Sequence, residues 1–157
     1  MIITTDSADQ TILAGKKFAS VLEPQDVVIL EGDLGGGKTT FIKGLLGGFG
    51  YRGRVLSPSF TLVRQYHIKS KCIYHIDLYR LDKGDMFNLG MEDMIYSKDA
   101  ITAIEWGDKI REELDKYIDV KFLFLGENKR KLMFSTKSYD KSKLESIREV
   151  LGRKKND

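Results

Sequence analysis

Cysteine and long apolar runs are both scarce in this sequence. Cys72 is the only cysteine among 157 residues, so the chain cannot form an internal disulfide or a thiolate zinc cluster. The longest apolar runs, at residues 27–30 and 122–125, span four residues each, whereas a transmembrane helix needs about 20. The opening residues, Met-Ile-Ile-Thr-Thr-Asp, lack the basic and apolar regions of a signal peptide. These absences argue against a disulfide-stabilised secreted scaffold and predict a cytoplasmic protein without a membrane segment.

An excess of charge of one sign is also missing. The sequence has 26 Lys and Arg against 23 Asp and Glu, a formal net charge of +3, which does not by itself predict binding to nucleic acid or to a membrane. Proline occurs only twice, but 15 glycines and 41% hydrophobic residues are present, enough for one buried core. We therefore expect residues 1–157 to form a single domain with a frayed tail at 152–157, and neither DNA nor a membrane among its partners.

The spacing of apolar residues predicts alternating helices and strands. Ser7 and Gln10 form a capping-box pattern at the start of a helix over 8–21. A continuous apolar run at 27–31 indicates a strand buried on both faces, as in a parallel sheet. After the glycines and residues 38–40, a second helix is predicted over 41–46, until the glycine pair 47–48. The remaining predicted elements are an exposed loop at 50–59, strands at 60–66, 71–77 and 100–105, an irregular helical segment at 82–94, a short helix near 108–114, an antiparallel hairpin over 118–134 with its turn at 126–129, and a final helix carrying Leu144, Ile147 and Leu151.

Glycines are concentrated between the strand at 27–31 and the helix that follows it. Residues 32–39 satisfy the pattern G-x-x-x-x-G-K-[ST], in which glycines let the backbone approach an anion and a helix N-terminus supplies amide donors. Lys38 is then expected to bridge the β- and γ-phosphates of a nucleotide, and Thr39 to place its hydroxyl on Mg²⁺. The residues predicted to bind the nucleotide here are Gly35, Gly36, Gly37, Lys38, Thr39 and Thr40.

Two carboxylates follow buried strands farther along the chain. Asp77 and Glu105 each end a predicted strand, and the carboxyl ends of parallel strands meet at the edge of a sheet where ligands bind. A magnesium site needs a second protein anchor besides the loop hydroxyl. We therefore expect both acids to converge with Thr39 on one Mg²⁺, and we assign Lys38, Asp77 and Glu105 as candidate catalytic residues.

Two further side chains lie next to these acids in the sequence. His75 precedes Asp77 by two residues and shares its strand face, so it either approaches the site or is a buried group with satisfied hydrogen bonds. Trp106 directly follows Glu105, and it either lines the site or serves in packing. Both residues are predicted to support the site rather than to react.

The order of the elements predicts the fold class. A buried strand, a phosphate-binding loop and a helix, followed by further buried strands, indicate an α/β protein. We expect a three-layer fold like that of P-loop nucleoside triphosphatases. Its sheet would be mainly parallel, extended by an antiparallel hairpin, with helices on both faces.

Four motifs, in order along the chain, resemble one bacterial family. They are Gly-Asp-Leu-Gly-Gly-Gly-Lys-Thr-Thr-Phe at 32–41, Ser-Pro-Ser-Phe-Thr-Leu-Val at 57–63, His-Ile-Asp-Leu-Tyr-Arg-Leu at 75–81 and Glu-Trp at 105–106. This combination is similar to the TsaE (formerly YjeE) family, the P-loop ATPases of tRNA threonylcarbamoyladenosine (t6A) biosynthesis. The resemblance extends from about residue 7 to residue 106 and weakens through the hairpin and the final helix. Gly36 and Ser59 stand where the family commonly has Ala and Thr.

The resemblance implies a Mg²⁺-dependent ATPase, with weak or partner-dependent activity, that does not itself modify tRNA. ATP would serve to bind and reset a TsaB–TsaD-type complex, which transfers threonylcarbamoyl to N6 of adenosine 37, so that tRNA is contacted only through that complex. By the same resemblance Glu105 is a metal ligand and Asp77 is the Walker-B-like acid. The other implied positions are Ser57, Ser59 and Thr61 in a switch-like loop, Ser7 and Thr11 near the adenine, and Lys129 and Arg130 as nucleotide contacts from the hairpin turn.

Two other functions fit the same motifs. A small-molecule kinase uses the same loop with an added acceptor pocket and a mobile lid, and residues 82–94 are the only segment that resembles a lid. A nucleotide-gated module that binds tRNA or protein and hydrolyses little would use basic residues such as Arg52, Arg54, Lys69 and Lys71.

Overall fold

The computed structural model describes residues 1–82, 85 and 90–152, which form a sheet flanked by helices. The strands are β1 (Ile2–Thr5), β2 (Val27–Glu31), β3 (Val63–Ile68), β4 (Lys71–Asp77), β5 (Ala100–Glu105), β6 (Tyr117–Phe124) and β7 (Arg130–Lys137). The α-helices are α1 (Ala8–Phe18), α2 (Lys38–Phe49), α3 (Glu92–Ile95) and α4 (Lys141–Gly152), with 3₁₀ turns at Ala19–Val21 and Gly107–Ile110. None of the described helices has the length and apolar character that a bilayer crossing requires.

Parallel strands form the centre of the sheet. The strand order is β1-β7-β6-β2-β5-β4-β3, in which β6, β2, β5 and β4 run parallel. The first four residues of β2 are buried, as expected of a strand covered on both faces. Antiparallel pairs of β1 with β7, β7 with β6, and β3 with β4 extend the sheet at both edges. The predicted α/β fold with its antiparallel hairpin is confirmed.

Helices cover both faces of the sheet, also as predicted. On one face, α1, α2 and α4 pack over an aromatic cluster in which the Phe41 ring centre lies 5.5, 5.7 and 6.1 Å from those of Phe18, Phe122 and Phe134. On the other face, α3 and the 3₁₀ turn Gly107–Ile110 cover a smaller apolar core. Helices thus cover both faces of the sheet. At the carboxyl edge of its parallel strands, polar side chains of β4 and β5 meet the loop after β2.

Helices α1 and α2 cross in close contact because each has a glycine at the crossing. A Cβ added to Gly44 of α2 would lie 2.0 Å from the carbonyl oxygen of Ile12, and one added to Gly15 of α1 would lie 2.1 Å from that of Phe41. Backbone atoms fill this space, so a larger residue at either position has to separate the helices. The contact therefore fixes how α1, which carries Thr11, lies against the first turns of α2.

The predicted end of α2 is wrong. The helix continues through the glycine pair 47–48 to Phe49. Gly48 serves close packing rather than termination, since a Cβ there would lie 2.5 Å from the Cβ of Ala19. The helix stops at Gly50, whose left-handed φ of 104° is a conformation that glycine adopts without strain.

Two other predicted elements differ in the structure. The strand expected at 60–66 begins only at Val63, because the backbone turns at Leu62, which has a φ of 65° and donates its amide to the carbonyl of Pro58 at 2.6 Å. The helix expected near 108–114 is the shorter 3₁₀ turn Gly107–Ile110. The segment there is too short to repay the cost of nucleating an α-helix.

One strand was not predicted, and two predicted segments lie partly outside the described residues. β1 is a four-residue edge strand whose partner, β7, lies more than 120 residues farther along the chain. Of the helical segment expected at 82–94, residues 83, 84 and 86–89 lie outside the described part, and α3 occupies its end. Of the tail expected at 152–157, Gly152 belongs to α4 and residues 153–157 lie outside the described part.

The crossing of α1 and α2 leads to a first prediction. Gly44→Ala is expected to lower the free energy of unfolding by about 1–3 kcal/mol, because the new methyl group has to push the helices apart. Gly47→Ala in the same helix is the matched control, since a Cβ there meets nothing within 4 Å, and it should raise stability by up to about 1 kcal/mol through helix propensity. Urea unfolding of the two variants measures both effects. Equal stability of the two variants would contradict this account of the crossing.

Candidate functional site

The phosphate loop, residues 32–37, joins the carboxyl end of β2 to the first turn of α2. Gly32 turns the chain away from the sheet, and a Cβ on this residue would lie 2.6 Å from the carbonyl oxygen of Phe122. Gly37 caps α2 with a left-handed φ of 102°. The first amides of α2 have no acceptors within the helix, and the helix dipole adds positive potential at this end. The loop can therefore offer backbone donors to an anion.

Lys38 is the first residue of α2, and its side chain is almost completely buried, with 4% of the residue exposed. Its ammonium donates hydrogen bonds to the carbonyl oxygens of Gly32 and, at 2.9 Å, Asp33, and it lies 4.0 Å above the centre of the Trp106 ring. Burial lowers the pKa of Lys38 below its usual value, although nearby carboxylates, Glu105 foremost, oppose this shift. The buried charge is thus satisfied by the loop itself.

Glu105, at the end of β5, is buried and receives two hydrogen bonds on one oxygen. Its Oε1 accepts from the Thr39 hydroxyl at 2.7 Å, and it lies 2.8 Å from Nε2 of His75. His75 is fully buried in β4, and its Nδ1 has no hydrogen-bond partner among the described residues. Nε2 is therefore the donor when Glu105 is ionised, and the imidazole holds the carboxylate from behind.

Asp77 ends β4 directly beside Glu105, because the parallel register of β4 and β5 pairs these two residues. Its Oδ2 accepts a hydrogen bond from the Ser57 hydroxyl, and its Oδ1 accepts one from the backbone amide of Tyr79 at 2.8 Å. Asp77 as a whole residue is 3% exposed. Asp77 is consequently held by two loops, whereas Glu105 is held by side chains of β4 and α2.

A cleft of about 400 Å³ opens between these elements. It brings together most residues that the sequence predicts for the site: Ser7, Thr11, Gly35, Gly36, Gly37, Lys38, Thr39, Thr40, Ser57, Ser59, Asp77, Glu105, Trp106 and Arg130. Three predicted residues lie elsewhere: His75 is behind Glu105, Thr61 is exposed beyond the cleft, and Lys129 is 3.4 Å from Asp6 (Nζ to Oδ1). The roles of the lining residues stay predictions.

The oxygen donors at this end of the cleft suit a small divalent cation. Thr39 contributes a hydroxyl, and Glu105 and Asp77 contribute carboxylates from neighbouring strands. No group of three or more His, Cys, Asp or Glu side chains is arranged to hold a metal within the described residues. Mg²⁺ is commonly held by one or two carboxylates together with phosphate oxygens and water, so this donor set fits Mg²⁺ bound with a nucleotide better than a metal held by protein alone.

Arg130 links the hairpin turn at 126–129 to the phosphate loop. Nη1 donates to the carbonyl oxygens of Gly126 (2.7 Å), Glu127 (3.2 Å) and Lys129 (3.0 Å), and Nη2 donates to that of Gly35 at 3.1 Å. The side chain of Thr11 and that of Arg130 both approach Gly37, at 3.8 and 3.9 Å from the position of a Cβ. The turn, α1 and the phosphate loop thus form one wall of the cleft.

Sequence reasoning did not identify several residues of the cleft. Tyr79 and Arg80 line it two and three residues after Asp77, and the centre of the Tyr79 ring lies 5.2 Å from that of the Trp106 ring. Their position just beyond a strand-end acid, inside the motif at 75–81, is the signal that could have found them. The remaining unpredicted lining residues are Ala8, Leu34, Glu127 and Asn128; Glu127 and Asn128 are brought in only by the long-range placement of the hairpin.

Comparisons with known proteins agree on one family. The model of the threonylcarbamoyl adenosine biosynthesis protein TsaE family matches residues 5–132. Over 117 residues the chain is 44% identical to the tRNA threonylcarbamoyladenosine biosynthesis protein TsaE of Haemophilus influenzae, covering 69% of this chain and 73% of that protein. Over 132 residues it is 33% identical to the protein of the same name from Bacillus subtilis, covering 83% and 82%. The crystal structure of Bacillus subtilis YdiB aligns with a TM-score of 0.78 at 29% identity, covering 97% of this chain and 93% of that one.

The contacts of Arg130 predict a local effect on backbone dynamics. Arg130→Met removes the hydrogen bonds that tie the hairpin turn to Gly35, so amide hydrogen exchange at 126–129 and 33–37 is expected to accelerate by about tenfold, the loss of about 1.4 kcal/mol of local stability. Exchange in β2 and β5 should not change. Lys131→Met is the control, because the Lys131 side chain makes no hydrogen bond or ion pair within the described residues. Unchanged exchange in the phosphate loop of Arg130→Met would contradict the link.

Proposed function

This chain belongs to the TsaE family of threonylcarbamoyl adenosine biosynthesis proteins, and we propose that it serves t6A formation as a Mg²⁺-dependent ATPase. The family itself gives the chain a role in this tRNA modification. In the finer proposal, ATP in the cleft controls binding to a TsaB–TsaD-type complex, and hydrolysis resets that complex between transfers of threonylcarbamoyl to N6 of adenosine 37. The complex, not this chain, contacts the tRNA.

The contacts of Lys38 are the single observation that best supports nucleotide binding. Its buried ammonium is hydrogen-bonded to neutral carbonyl oxygens of the phosphate loop and has no carboxylate as hydrogen-bond acceptor among the described residues. A phosphate oxygen is a stronger acceptor for an ammonium than a carbonyl oxygen, and it would also neutralise the buried charge. The site is therefore prepared to exchange loop carbonyls for phosphate without first breaking a salt bridge.

Thr39, Glu105 and Asp77 would hold Mg²⁺, which would supply positive charge to neutralise the phosphate oxygens during phosphoryl transfer. Oγ1 of Thr39 already lies 2.7 Å from Oε1 of Glu105, and His75 orients this carboxylate from the protein interior. Holding a metal there would require little rearrangement of the backbone, because β4, β5 and α2 are packed in the core.

Basal hydrolysis is expected to be slow because the arginines that line the cleft are engaged in other contacts. Arg130 donates to carbonyl oxygens of the turn and of Gly35, and the Arg80 guanidinium lies 4.1 Å from the centre of the Phe60 ring. Phosphoryl transfer gains its largest accelerations from an arginine that reaches the transferring group. A partner that frees one of these side chains, or supplies its own arginine, would raise the rate.

One experiment separates the proposal from its alternatives. The protein is incubated with ATP and Mg²⁺, alone and with its TsaB–TsaD-type complex, and both free phosphate and phosphorylated products are measured. An ATPase releases phosphate in proportion to ATP consumed, faster with the complex. A phosphorylated small molecule would instead indicate a kinase, and salt-dependent tRNA binding without the complex would indicate a nucleotide-gated tRNA-binding module.

Lys38→Ala is expected to weaken binding of a non-hydrolysable ATP analogue by about 100-fold, since a charge-assisted hydrogen bond contributes about 1.5–3 kcal/mol. Lys43→Ala is the matched control, because Lys43 lies exposed in the same helix. Titration calorimetry measures the affinities.

Trp106, the only tryptophan, provides a second signal: its fluorescence should change in the wild type when Lys38 leaves the indole ring for phosphate. Equal affinity of Lys38→Ala and the wild type would refute the role of Lys38.

Thr39→Val tests the metal ligand. This substitution keeps the shape of the side chain and removes its hydroxyl, so the variant is expected to bind the ATP analogue in EDTA as the wild type does. Adding Mg²⁺ should tighten binding by about tenfold or more in the wild type and by much less in the variant, because the hydroxyl is the ligand that α2 supplies. A full Mg²⁺ effect in Thr39→Val would remove Thr39 from the metal site.

A further inference from the structure

A second cavity lies away from the candidate nucleotide cleft, between α1, α2 and the loop at 50–55. Its volume is about 450 Å³, and it shares no lining residue with the cleft. Sites for small molecules commonly have volumes of about 300–1,000 Å³. The cavity is therefore large enough for a ligand of its own, and the proposed function does not use it.

The charged side chains that line this second cavity are all positive. Lys16 of α1, Lys43 of α2 and Arg52 of the loop each contribute a cation, and no Asp or Glu is among the described residues that line it. These three side chains are exposed and make no hydrogen bond or ion pair within the described part of the chain. Like charges around one cavity repel each other and give it a positive potential. The cavity therefore favours an anion.

The residues around the cavity add to this charge rather than offset it. Residues 34–76 contain no Asp or Glu. The Cε atom of Lys69 lies 3.9 Å from the position of a Cβ on Gly50, so another cation borders the cavity. Asp9, the one acid of α1, lies about two helical turns before Lys16 and lines neither the cavity nor the cleft. The cations between residues 34 and 76 are Lys38, Lys43, Arg52, Arg54, Arg64, Lys69 and Lys71.

The loop at 50–55 supplies backbone donors as well. The amides of Gly50 and Tyr51 donate to the carbonyl oxygens of Gly47 at 3.1 Å and Leu46 at 3.0 Å, and so cap the carboxyl end of α2. The next two amides, at 52 and 53, donate to no acceptor within the described residues. Free amides, a guanidinium and two ammonium groups are the donors that phosphate oxygens accept from most strongly.

Apolar side chains complete the lining of the cavity. Ile12, Tyr51 and Val55 are half-buried there. The Tyr51 ring is held edge-on against the Tyr66 ring, with the ring centres 4.9 Å apart. A ligand that has a carbon body besides its anionic groups would contact both kinds of surface, which is how small-molecule sites usually combine apolar walls with a few polar groups.

We propose that this cavity is a binding site for a small organic molecule that carries two or more phosphoryl groups. Lys16, Lys43 and Arg52 would contact the phosphoryl oxygens, and the apolar side chains would contact the carbon body. The inference goes beyond the proposed function and does not depend on it, because the two sites share no lining residue.

The same features disfavour RNA as the occupant. Single-stranded RNA is bound by aromatic rings on which its bases stack. Tyr51 is the one aromatic residue among the described residues of the lining, and it is half-buried and already packed against Tyr66. The three cations come from three elements around one cavity, which suits a compact anion better than an extended backbone.

Amide NMR spectra of the full chain locate the site. Fructose 1,6-bisphosphate is the probe, because it carries two phosphoryl groups on a small carbon body. It is titrated into the protein with and without one equivalent of a non-hydrolysable ATP analogue and Mg²⁺. In both titrations the shifts should saturate with a Kd below about 1 mM and centre on Lys16, Lys43 and residues 50–55. Fructose, the matched probe without phosphate, should shift none of these amides.

Two variants test the charge and the space of the cavity separately. Lys43→Gln removes one cation and is expected to weaken binding of the probe about tenfold, because charge-assisted hydrogen bonds are the stronger ones. Gly47→Leu fills the cavity without changing its charge, since a Cβ at Gly47 meets no atom within 4 Å, and it should abolish the saturable shifts. Lys98→Gln is the matched control, because it removes an exposed cation that lines neither site and should leave the affinity unchanged.

Several results would overturn this site. Shifts confined to residues 33–40 would place the probe in the phosphate loop, and shifts that never saturate would show that no site is built. Equal affinity of Lys43→Gln, Gly47→Leu and the wild type would also exclude the cavity. Binding of an RNA duplex or an acidic peptide at 50–55, by a wild type that does not bind the probe, would assign the cavity to another occupant. Failure of the ATP analogue to bind would overturn the proposed function alone, since the probe is also titrated without it.

Discussion

The buried ammonium of Lys38 is the interaction on which the rest of the site depends. A cation in this position is costly unless it is hydrogen-bonded, and the phosphate loop curls so that its own carbonyl oxygens, with the face of Trp106, satisfy it. This requires the chain to turn sharply after β2, which Gly32 permits against the backbone of Phe122. The carboxylates of the site act on Lys38 only through space, so its hydrogen bonds remain exchangeable. The free loop is thereby stable and still ready for an anion.

The two strand-end acids lie side by side but are held in different ways. Glu105 is fixed from within the fold, by His75 of the neighbouring strand and by Thr39 of α2. Asp77 is fixed by Ser57 and by the amide of Tyr79, both in loops. Loops of this kind open at lower free energy than packed strands and helices do. Glu105 is therefore held by packed elements, whereas the position of Asp77 depends on the loops that contact it.

Sequence patterns within a single segment predicted the elements that depend only on the residues of that segment. The buried run of β2, the glycines of the phosphate loop and the acids at the ends of β4 and β5 could be predicted because each depends on residues within one segment. The contact of Arg130 with Gly35, the position of His75 behind Glu105 and the pairing of β1 depend on residues brought together by the whole sheet. No single segment carries a signal for them. The same holds for α2, whose Gly48 lies against Ala19.

If the cleft hydrolyses ATP as proposed, the contacts of its arginines would make the reaction depend on a partner. The guanidinium of Arg130 maintains the wall of the cleft, and that of Arg80 covers the ring of Phe60. Both side chains line the cleft, but each has a contact that would have to be given up before its guanidinium could reach a phosphate. A partner that displaced the Phe60 ring from Arg80 would leave that guanidinium free to turn toward phosphate. Docking and catalysis would then be coupled through one side chain, and hydrolysis would follow assembly rather than precede it.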